Sequence, residues 1–208
     1  MKNIFRVLIF LVVFLFQVNS SFAATFKNKA KYENFPDVIG TKYEDAALYL
    51  KAFKYISGYP DGTFRPDSDI TRAELLKIAL GFSAEAHMGD FGDISKLDTF
   101  SDVPKEHWAK QDIELAAKIG IVSGYEDGTF RPNNKVTYSE VLTILLNVHG
   151  LKNKVNAIDE SWPLNYILYS YDNEITPHLT DVNLYSNPAT RGEVALIISN
   201  IRGVEWEE

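Results

Sequence analysis

The chain has 208 residues, of which 46% are hydrophobic and 24% are charged, and it contains no cysteine. This length and composition suit one globular domain and exclude a low-complexity or disordered chain. The net charge of −7 argues against a general affinity for nucleic acid or anionic membranes, and the core must be sufficient without disulfides.

The first 23 residues have the pattern of a signal peptide. A charged start precedes an unbroken apolar run over residues 7–16, and small residues precede Ala24 as signal peptidase requires. The run is shorter than the ~20 residues of a transmembrane helix, and an uncleaved anchor is the alternative. We therefore expect an exported protein that begins at Ala24 and, once cleaved, has no membrane contact.

Two similar segments follow a short polar lead. Each opens with a Phe-x-Asp-Val step, at residues 35–38 and 100–103. An aromatic residue comes next, Tyr43 in the first segment and Trp108 in the second. Apolar residues at helical spacing then predict a first helix in each segment.

A glycine turn and a helix start form the central motif. Residues 56–80 return 66 positions later as residues 122–146, with 14 of the 25 positions identical. An Asp-Gly pair makes the turn because glycine adopts a positive φ cheaply, and a proline four residues later prevents the turn from continuing as helix. Each unit is therefore predicted to be helix, turn, helix.

Threonine and glutamate three residues apart mark the start of each second helix. This capping-box spacing predicts that the threonine oxygen accepts from the third backbone N–H and that the glutamate reaches back to the threonine N–H. A third box without the glycine turn indicates a third, degenerate unit. The same apolar stripe follows each box, which predicts one shared core. The predicted cap pairs are Thr71 and Glu74, Thr137 and Glu140, and Thr190 and Glu193.

These patterns divide the whole chain. Residues 177–188 stand where unit three should have its turn, and no pattern there predicts a structure. The predicted segments are a signal peptide (1–23), a lead (24–34), unit one (35–82), a connector (83–99), unit two (100–149), a polar linker (150–156), unit three (157–203) and a tail (204–208).

Over residues 35–203 the chain resembles the S-layer homology (SLH) family. That family's units read Phe-x-Asp-Val, His-Trp-Ala, Gly-Ile-Val-x-Gly, Asp-Gly-Thr-Phe-x-Pro and Thr-Arg-Ala-Glu. Unit two carries nearly all of these motifs, including Gly124, but has Tyr138 in place of the arginine. Unit one has Tyr43 in place of tryptophan, and unit three keeps Trp162 but lacks the turn.

The resemblance implies an all-α fold in which three helix-turn-helix units form a pseudo-threefold spindle around a central three-helix bundle. It also implies binding to cell-wall polysaccharide, commonly a pyruvylated polymer, and a location at the bacterial cell surface, cell wall or S-layer. Other anionic or peptidoglycan-associated polymers and envelope proteins are further expected partners. The alternative is a structural envelope protein that assembles through protein contacts without binding glycan.

The helix starts offer candidate anion sites. Arg72 and Arg191 occupy the first helical position, where unpaired N–H groups and the helix dipole favour an anion. A guanidinium there can bind a carboxylate such as a pyruvyl ketal through two hydrogen bonds, although a solvated surface arginine is the simpler interpretation. Tyr138 cannot make this contact, so we expect a weak groove at unit two and at most two sites.

The remaining candidates are aromatic and acidic. Trp108 and Trp162 can stack on a sugar, but we favour the core for most of their bulk because aromatic residues dominate cores. Asp102, with Asp37 and Asp159, is expected to cap a first helix, with ligand contact second. The candidate glycan-binding residues are therefore Arg72, Arg191, Trp108, Trp162, Asp102 and Gly124.

Metal and enzyme chemistry find little support. An EF-hand loop with Gly62 at its sixth position lacks acidic residues at positions one, three and twelve. The histidines are scattered, and no zinc-protease, hydrolase or phosphate-loop motif is present. The three capping glutamates could be offered as glycosidase carboxylates, but their spacing behind threonine explains them better. We expect neither cofactor nor catalysis, so an envelope hydrolase remains the least supported function.

Overall fold

The computed structural model describes residues 24–27, 29–83 and 92–207. The predicted signal peptide and part of the predicted connector lie outside these ranges. The described residues form seven α-helices and two short strands. They are β1 (Ala24–Lys27), α1 (Glu44–Ala52), α2 (Arg72–Leu80), α3 (Lys110–Lys118), α4 (Tyr138–Val148), α5 (Lys152–Asn156), α6 (Leu164–Asp172), α7 (Arg191–Arg202) and β2 (Val204–Glu207).

The predicted helix pairs are present in all three units. Helices α1, α3 and α6 are the first helices, and α2, α4 and α7 are the second helices with N-caps at Thr71, Thr137 and Thr190. Full capping boxes form at Thr71 and Thr137. At Thr190 only the threonine side chain caps the helix, because Glu193 makes other contacts. The reciprocal cap expected from Glu193 is therefore wrong.

A closed ring of hydrogen bonds joins the three units just before their second helices. Ile70 N–H donates to the Ala189 carbonyl (3.1 Å), Val136 N–H to the Ile70 carbonyl (3.2 Å), and Ala189 N–H to the Val136 carbonyl (2.8 Å). These residues precede the three capping threonines. Because each unit donates to one neighbour and accepts from the other, the ring has threefold character, as the resemblance implies.

Packing continues around the same circle. Each second helix packs on the first helix of the next unit: α2 on α3, α4 on α6, and α7 on α1. The predicted apolar stripes meet in one core, in which Leu75, Leu145 and Ile197 are fully buried. The all-α prediction is confirmed. We call the three junctions between neighbouring units the first groove (units one and two), the second groove (units two and three) and the third groove (units three and one).

Three local features go beyond the prediction. The lead and the tail pair as a parallel two-stranded sheet, with Ala24 opposite Val204. The polar linker contains helix α5. The insert 177–188 contains a 3₁₀ helix, Val182–Ser186, anchored by the buried ring of Tyr185, whose hydroxyl donates to the Leu179 carbonyl (3.2 Å).

Candidate functional site

The glycine turn is held by tight contacts. Gly124 has φ +72°, and a Cβ there would lie 2.3 Å from the ring of Phe100 and 2.8 Å from the Thr129 carbonyl oxygen. Any other residue would therefore separate the turn from the opening loop of its own unit. Gly58 makes the same approach to Phe35 in unit one.

The opening aspartates hold the turns rather than the helices. Asp102 accepts from the N–H groups of Phe130 and Arg131, both at 2.7 Å. Asp37 accepts in the same way from Phe64 and Arg65. The expected capping role of Asp37 and Asp102 is wrong, because helices α1 and α3 have no side-chain cap at all. These carboxylates instead accept hydrogen bonds from backbone N–H groups of the turn, and the turn continues into the groove.

A second carboxylate fixes the tip of each turn. Asp127 accepts from the Thr129 hydroxyl (2.6 Å) and backbone N–H (3.0 Å) and pairs with Arg131 (2.9 Å). The Thr129 hydroxyl and the Arg131 guanidinium lower the pKa of Asp127 to about 2. The Asp127 carboxylate therefore stays ionised at physiological pH and keeps these hydrogen bonds at the turn tip.

Each arginine at a helix start reaches into a neighbouring unit. Arg72 belongs to unit one, but its guanidinium lies over the rings of Tyr125 (5.1 Å) and Phe130 (4.8 Å) of unit two. Arg191 of unit three lies likewise over Tyr59 and Phe64 of unit one. Tyr138 consequently belongs to the groove of unit three. The expectation that it weakens the groove of unit two is wrong.

The first helical N–H groups are not free. Arg72 N–H donates to the Asn134 carbonyl (2.9 Å) and Arg191 N–H donates to the Ser68 carbonyl (2.9 Å). The premise of unpaired N–H groups is therefore wrong at both helices. An anion would have to be bound by the guanidinium rather than by the helix terminus.

The second groove lies between units two and three. Its cavity has a volume of about 760 Å³. The turn of unit two forms one wall, helix α4 forms the floor, and the start of helix α6 forms the other wall. Three of the candidate residues line this cavity together: Arg72, Gly124 and Trp162.

The aromatic wall of the second groove is fixed by two hydrogen bonds. Trp162 Nε1–H donates to Thr143 Oγ1 (2.9 Å), and the Tyr166 hydroxyl donates to Asn147 Oδ1 (2.9 Å). Trp162 is 57% exposed and Trp108 is 59% exposed. The preference for a core role for these tryptophans is therefore wrong, because more than half of each residue is exposed and Trp162 lines the cavity.

Arg72 meets a carboxylate in the second groove. Its Nη1 lies 3.4 Å from Glu140 Oε1, and the same oxygen accepts from the Tyr125 hydroxyl at 2.5 Å. Arg72 is only 7% exposed, and its Nε has no hydrogen-bond partner within the described residues. The cation is thus buried, partly neutralised and incompletely bonded.

The first groove lies between units one and two. Arg191, 8% exposed, donates from Nε to the Phe64 carbonyl (2.9 Å) and lies 4.9 Å from the centre of the Tyr59 ring. Trp108 precedes helix α3 as Trp162 precedes helix α6. Lys77 pairs with Asp112 (3.0 Å) between helices α2 and α3. The first groove therefore also holds an arginine, a turn and an exposed tryptophan.

The third groove, between units three and one, is filled. Tyr43 occupies the tryptophan position, but it is only 9% exposed, and its ring lies so close to Gly192 that a Cβ there would be 2.8 Å away. The Tyr43 hydroxyl donates to Glu193 Oε1 (2.8 Å). Lys42 and His178 each lie 2.5 Å from a Glu193 oxygen. No turn of the Asp-Gly type stands here.

The charges of the third groove stabilise one another. Burial opposes ionisation of Glu193, but the hydrogen bonds from His178, Lys42 and Tyr43 outweigh it and lower the pKa to about 2. Burial, together with the Glu193 carboxylate, raises the pKa of Tyr138 beside it. The third groove is therefore a closed polar contact and not an open site.

Sequence reasoning missed four residues that shape the second groove. They are Tyr125, Thr143, Asn147 and Tyr166. Tyr125 stands in the repeated turn motif, as Tyr59 does, and its repetition was the available signal. The positions of Thr143 and Asn147 on the outer face of helix α4 gave none, because exposed polar residues on a helix are usual. Asp159 is exposed and does not line the described cavity.

Within the described ranges, no group of three histidines, aspartates or glutamates is arranged to hold a metal ion. No helix in that part of the chain is both long enough and apolar enough to cross a bilayer.

Comparison with known proteins agrees with this architecture. The sequence model of the S-layer homology domain matches residues 34–76 and 99–142, which are most of units one and two. A cell surface protein of Thermoanaerobacter kivui is 30% identical over 95% of this chain, so that alignment includes unit three. A middle cell wall protein of Brevibacillus brevis is 30% identical over 79% of it, and a cellulosome-anchoring protein of Acetivibrio thermocellus is 32% identical over 54%.

This chain spans 24%, 15% and 27% of the lengths of those three relatives. The names of the first two place them at the cell surface and in the cell wall, which confirms the predicted location. The matched domains, the repeated turn and the ring of three units lead to one conclusion: this chain belongs to the S-layer homology family.

Proposed function

We propose that the chain is a non-catalytic module that binds cell-wall polysaccharide and anchors protein to the bacterial envelope. One observation carries the proposal: in the second groove a buried arginine, a glycine turn and an exposed tryptophan surround a single cavity of about 760 Å³. A sugar needs an aromatic face for its C–H surface and polar groups that fix its orientation. The groove provides both.

The choice of polymer follows from the buried arginines. A guanidinium binds a carboxylate through two charge-assisted hydrogen bonds, so an acidic glycan such as a pyruvylated wall polymer suits these grooves. The cellulosome-anchoring relative bears a name that describes attachment, and its similarity supports the same role here. The second groove holds an open cavity, and we expect the first to be open likewise because Trp108 is as exposed as Trp162, whereas the third is filled by Tyr43.

Cosedimentation with cell walls tests the proposal. The chain should pellet with intact walls and remain in solution with peptidoglycan from which the secondary polymer has been stripped. The variant carrying both Trp108→Ala and Trp162→Ala should lose most of its binding, since it keeps the fold but removes both exposed aromatic faces. Ile39→Ala is the matched control, because Ile39 is an exposed apolar residue that does not line the cavity of the second groove.

Equal sedimentation with intact and stripped walls would contradict glycan binding. Combined with self-association of the chain in solution, that result would favour the alternative, an envelope protein that assembles through protein contacts.

A further inference from the structure

The first and second grooves hold their arginines in different electrostatic settings. In the second groove, Glu140 Oε1 lies 3.4 Å from the Arg72 guanidinium. In the first groove, no carboxylate of the described residues lies within 4 Å of Arg191, whose Nε is bonded to a neutral carbonyl. Both side chains are more than nine-tenths buried. Among the described residues, one buried cation therefore has a counter-ion within 4 Å and the other has none.

The difference arises from the capping glutamates. Glu140 caps Thr137 through Oε2 and extends Oε1 to Arg72 and the Tyr125 hydroxyl. Glu74 caps Thr71 through Oε2, which bonds both the backbone N–H (2.9 Å) and the hydroxyl (2.8 Å). Within the part of the chain that the structure describes, Glu74 forms no ion pair with an arginine. The same residue type therefore shields the arginine in only one groove.

A buried charge without a partner is costly, and an external anion can supply the partner. Arg191 should gain most from a carboxylate on the sugar. In the second groove an incoming carboxylate meets Glu140, and the repulsion offsets the attraction of Arg72. The other charges at the two turns do not distinguish the grooves, since each turn holds the same ion pair: Arg65 with Asp61 in unit one, and Arg131 with Asp127 in unit two.

We infer that the grooves differ in specificity: the first selects a sugar that carries a carboxylate, whereas the second, shielded by Glu140, accepts neutral and acidic sugars nearly equally. This inference rests on the proposed function. It assigns Glu140 as the residue that sets the charge preference of its groove. The chain would then bind one polymer at an acidic sugar through the first groove and at a neutral sugar through the second.

The test uses a methyl hexoside with a pyruvyl ketal as free acid, and its uncharged methyl ester. Trp162→Ala leaves only the first groove, and Trp108→Ala leaves only the second. By calorimetry, the first groove should prefer acid over ester by about tenfold or more, as expected for one charge-assisted contact. The second groove should show a ratio within about threefold.

Glu140→Gln in the Trp108→Ala background sharpens the test. Glutamine retains the capping box but removes the charge, so the acid-to-ester preference of the second groove should rise about tenfold. Glu74→Gln in the Trp162→Ala background is the matched control and should leave the first groove's preference unchanged. Raising the salt concentration should weaken acid binding in the first groove more than in the second.

Equal acid-to-ester ratios in the two grooves, or an unchanged ratio in Glu140→Gln, would overturn the inference. If neither probe binds while the wild-type chain still sediments with intact walls, the charge preference is wrong and the proposed function stands. If the chain binds neither probe nor wall, both fail. Thermal melts of each variant establish that it is folded, and the salt comparison provides a readout that needs no Glu140 variant.

Discussion

The second and third grooves are built from equivalent helices, yet one is open and the other is closed. Trp162 stands at the rim of the second groove, 57% exposed, whereas Tyr43 stands at the same position of the third, 9% exposed. In the second groove Glu140 faces a buried arginine, whereas the equivalent Glu193 in the third groove faces Tyr43, Lys42 and His178. The same scaffold thus yields a cavity at one junction and a contact at the other.

A few residue changes account for the difference. Glycine at position 192 lets the Tyr43 ring approach the start of helix α7, where the other two units have Ala73 and Ser139. Tyr138 replaces the arginine that would need an anion. The closed junction also joins the first and last units, whose helices α1 and α7 pack together beside the strand pair β1–β2. The contact that fills the third groove therefore also closes the ring of units.

Alanine at the two equivalent aromatic positions should separate the grooves most strongly. Tyr43→Ala should cost about 3–5 kcal/mol of unfolding free energy, because it removes a buried ring and leaves a cavity against Gly192. Trp162→Ala should cost less than about 1 kcal/mol, since most of that side chain is exposed. Urea unfolding of the two variants measures both values. Similar costs would show that the third groove is not a stabilising contact.

Acid should weaken the third groove by about 3 kcal/mol. The pKa of Glu193 is about 2 in the folded chain, below its ordinary value of 4.5, so its stabilisation is present above pH 4.5 and is lost as the pH falls through 2. Lys42 stays protonated in this range, because its hydrogen bond to Glu193 raises its pKa above the ordinary value. The measurement is unfolding free energy from pH 7 to pH 2 for the wild type and Glu193→Gln. The gap between the two curves should narrow on acidification, and a constant gap would contradict the assignment.

The sequence predicted the repeats, the helix starts and the shared core, because capping boxes and apolar stripes are local signals. It did not predict which unit's turn each arginine contacts. Arg72 of unit one contacts Tyr125 of unit two, and the identity of the contacted unit depends on the circular order in which the units pack. The sequence also did not predict that the two tryptophans are exposed. A bulky aromatic side chain favours burial, and only the position before a first helix leaves these side chains exposed.

The sequence also did not predict that charged side chains are buried in helix α3. Lys110 and Glu114 form a buried ion pair at 2.8 Å, and Glu114 accepts from the Thr99 N–H at 3.0 Å. In the sequence both residues look like solvent-facing positions of an amphipathic helix. Only the return of the chain before unit two, which brings Thr99 over helix α3, places them inside.

A methyl group at Gly192 should have a moderate effect. Gly192→Ala places a Cβ 2.8 Å from the Tyr43 ring, which must shift, and overpacking of this kind costs about 1–3 kcal/mol. In the Tyr43→Ala background the same substitution should be neutral or stabilising, because the clash is gone and alanine favours helix. A double-mutant cycle in urea measures the coupling. Additive effects would mean that the two residues do not touch in solution.

The smallest expected effect concerns the threonine caps, and it tests whether the closed groove alters its own helix start. Thr137→Ala and Thr190→Ala each remove a hydroxyl that accepts from a backbone N–H at 3.3 Å, so each should cost about 1 kcal/mol. Glu140 would still hold the Thr137 N–H (2.9 Å), whereas Glu193 gives unit three no such support. Helix α7 should therefore lose more order in its first turn than helix α4, and hydrogen exchange at Glu193 and Glu140 would report it. Faster exchange at Glu140 than at Glu193 would show that the third groove compensates for the missing half of its capping box.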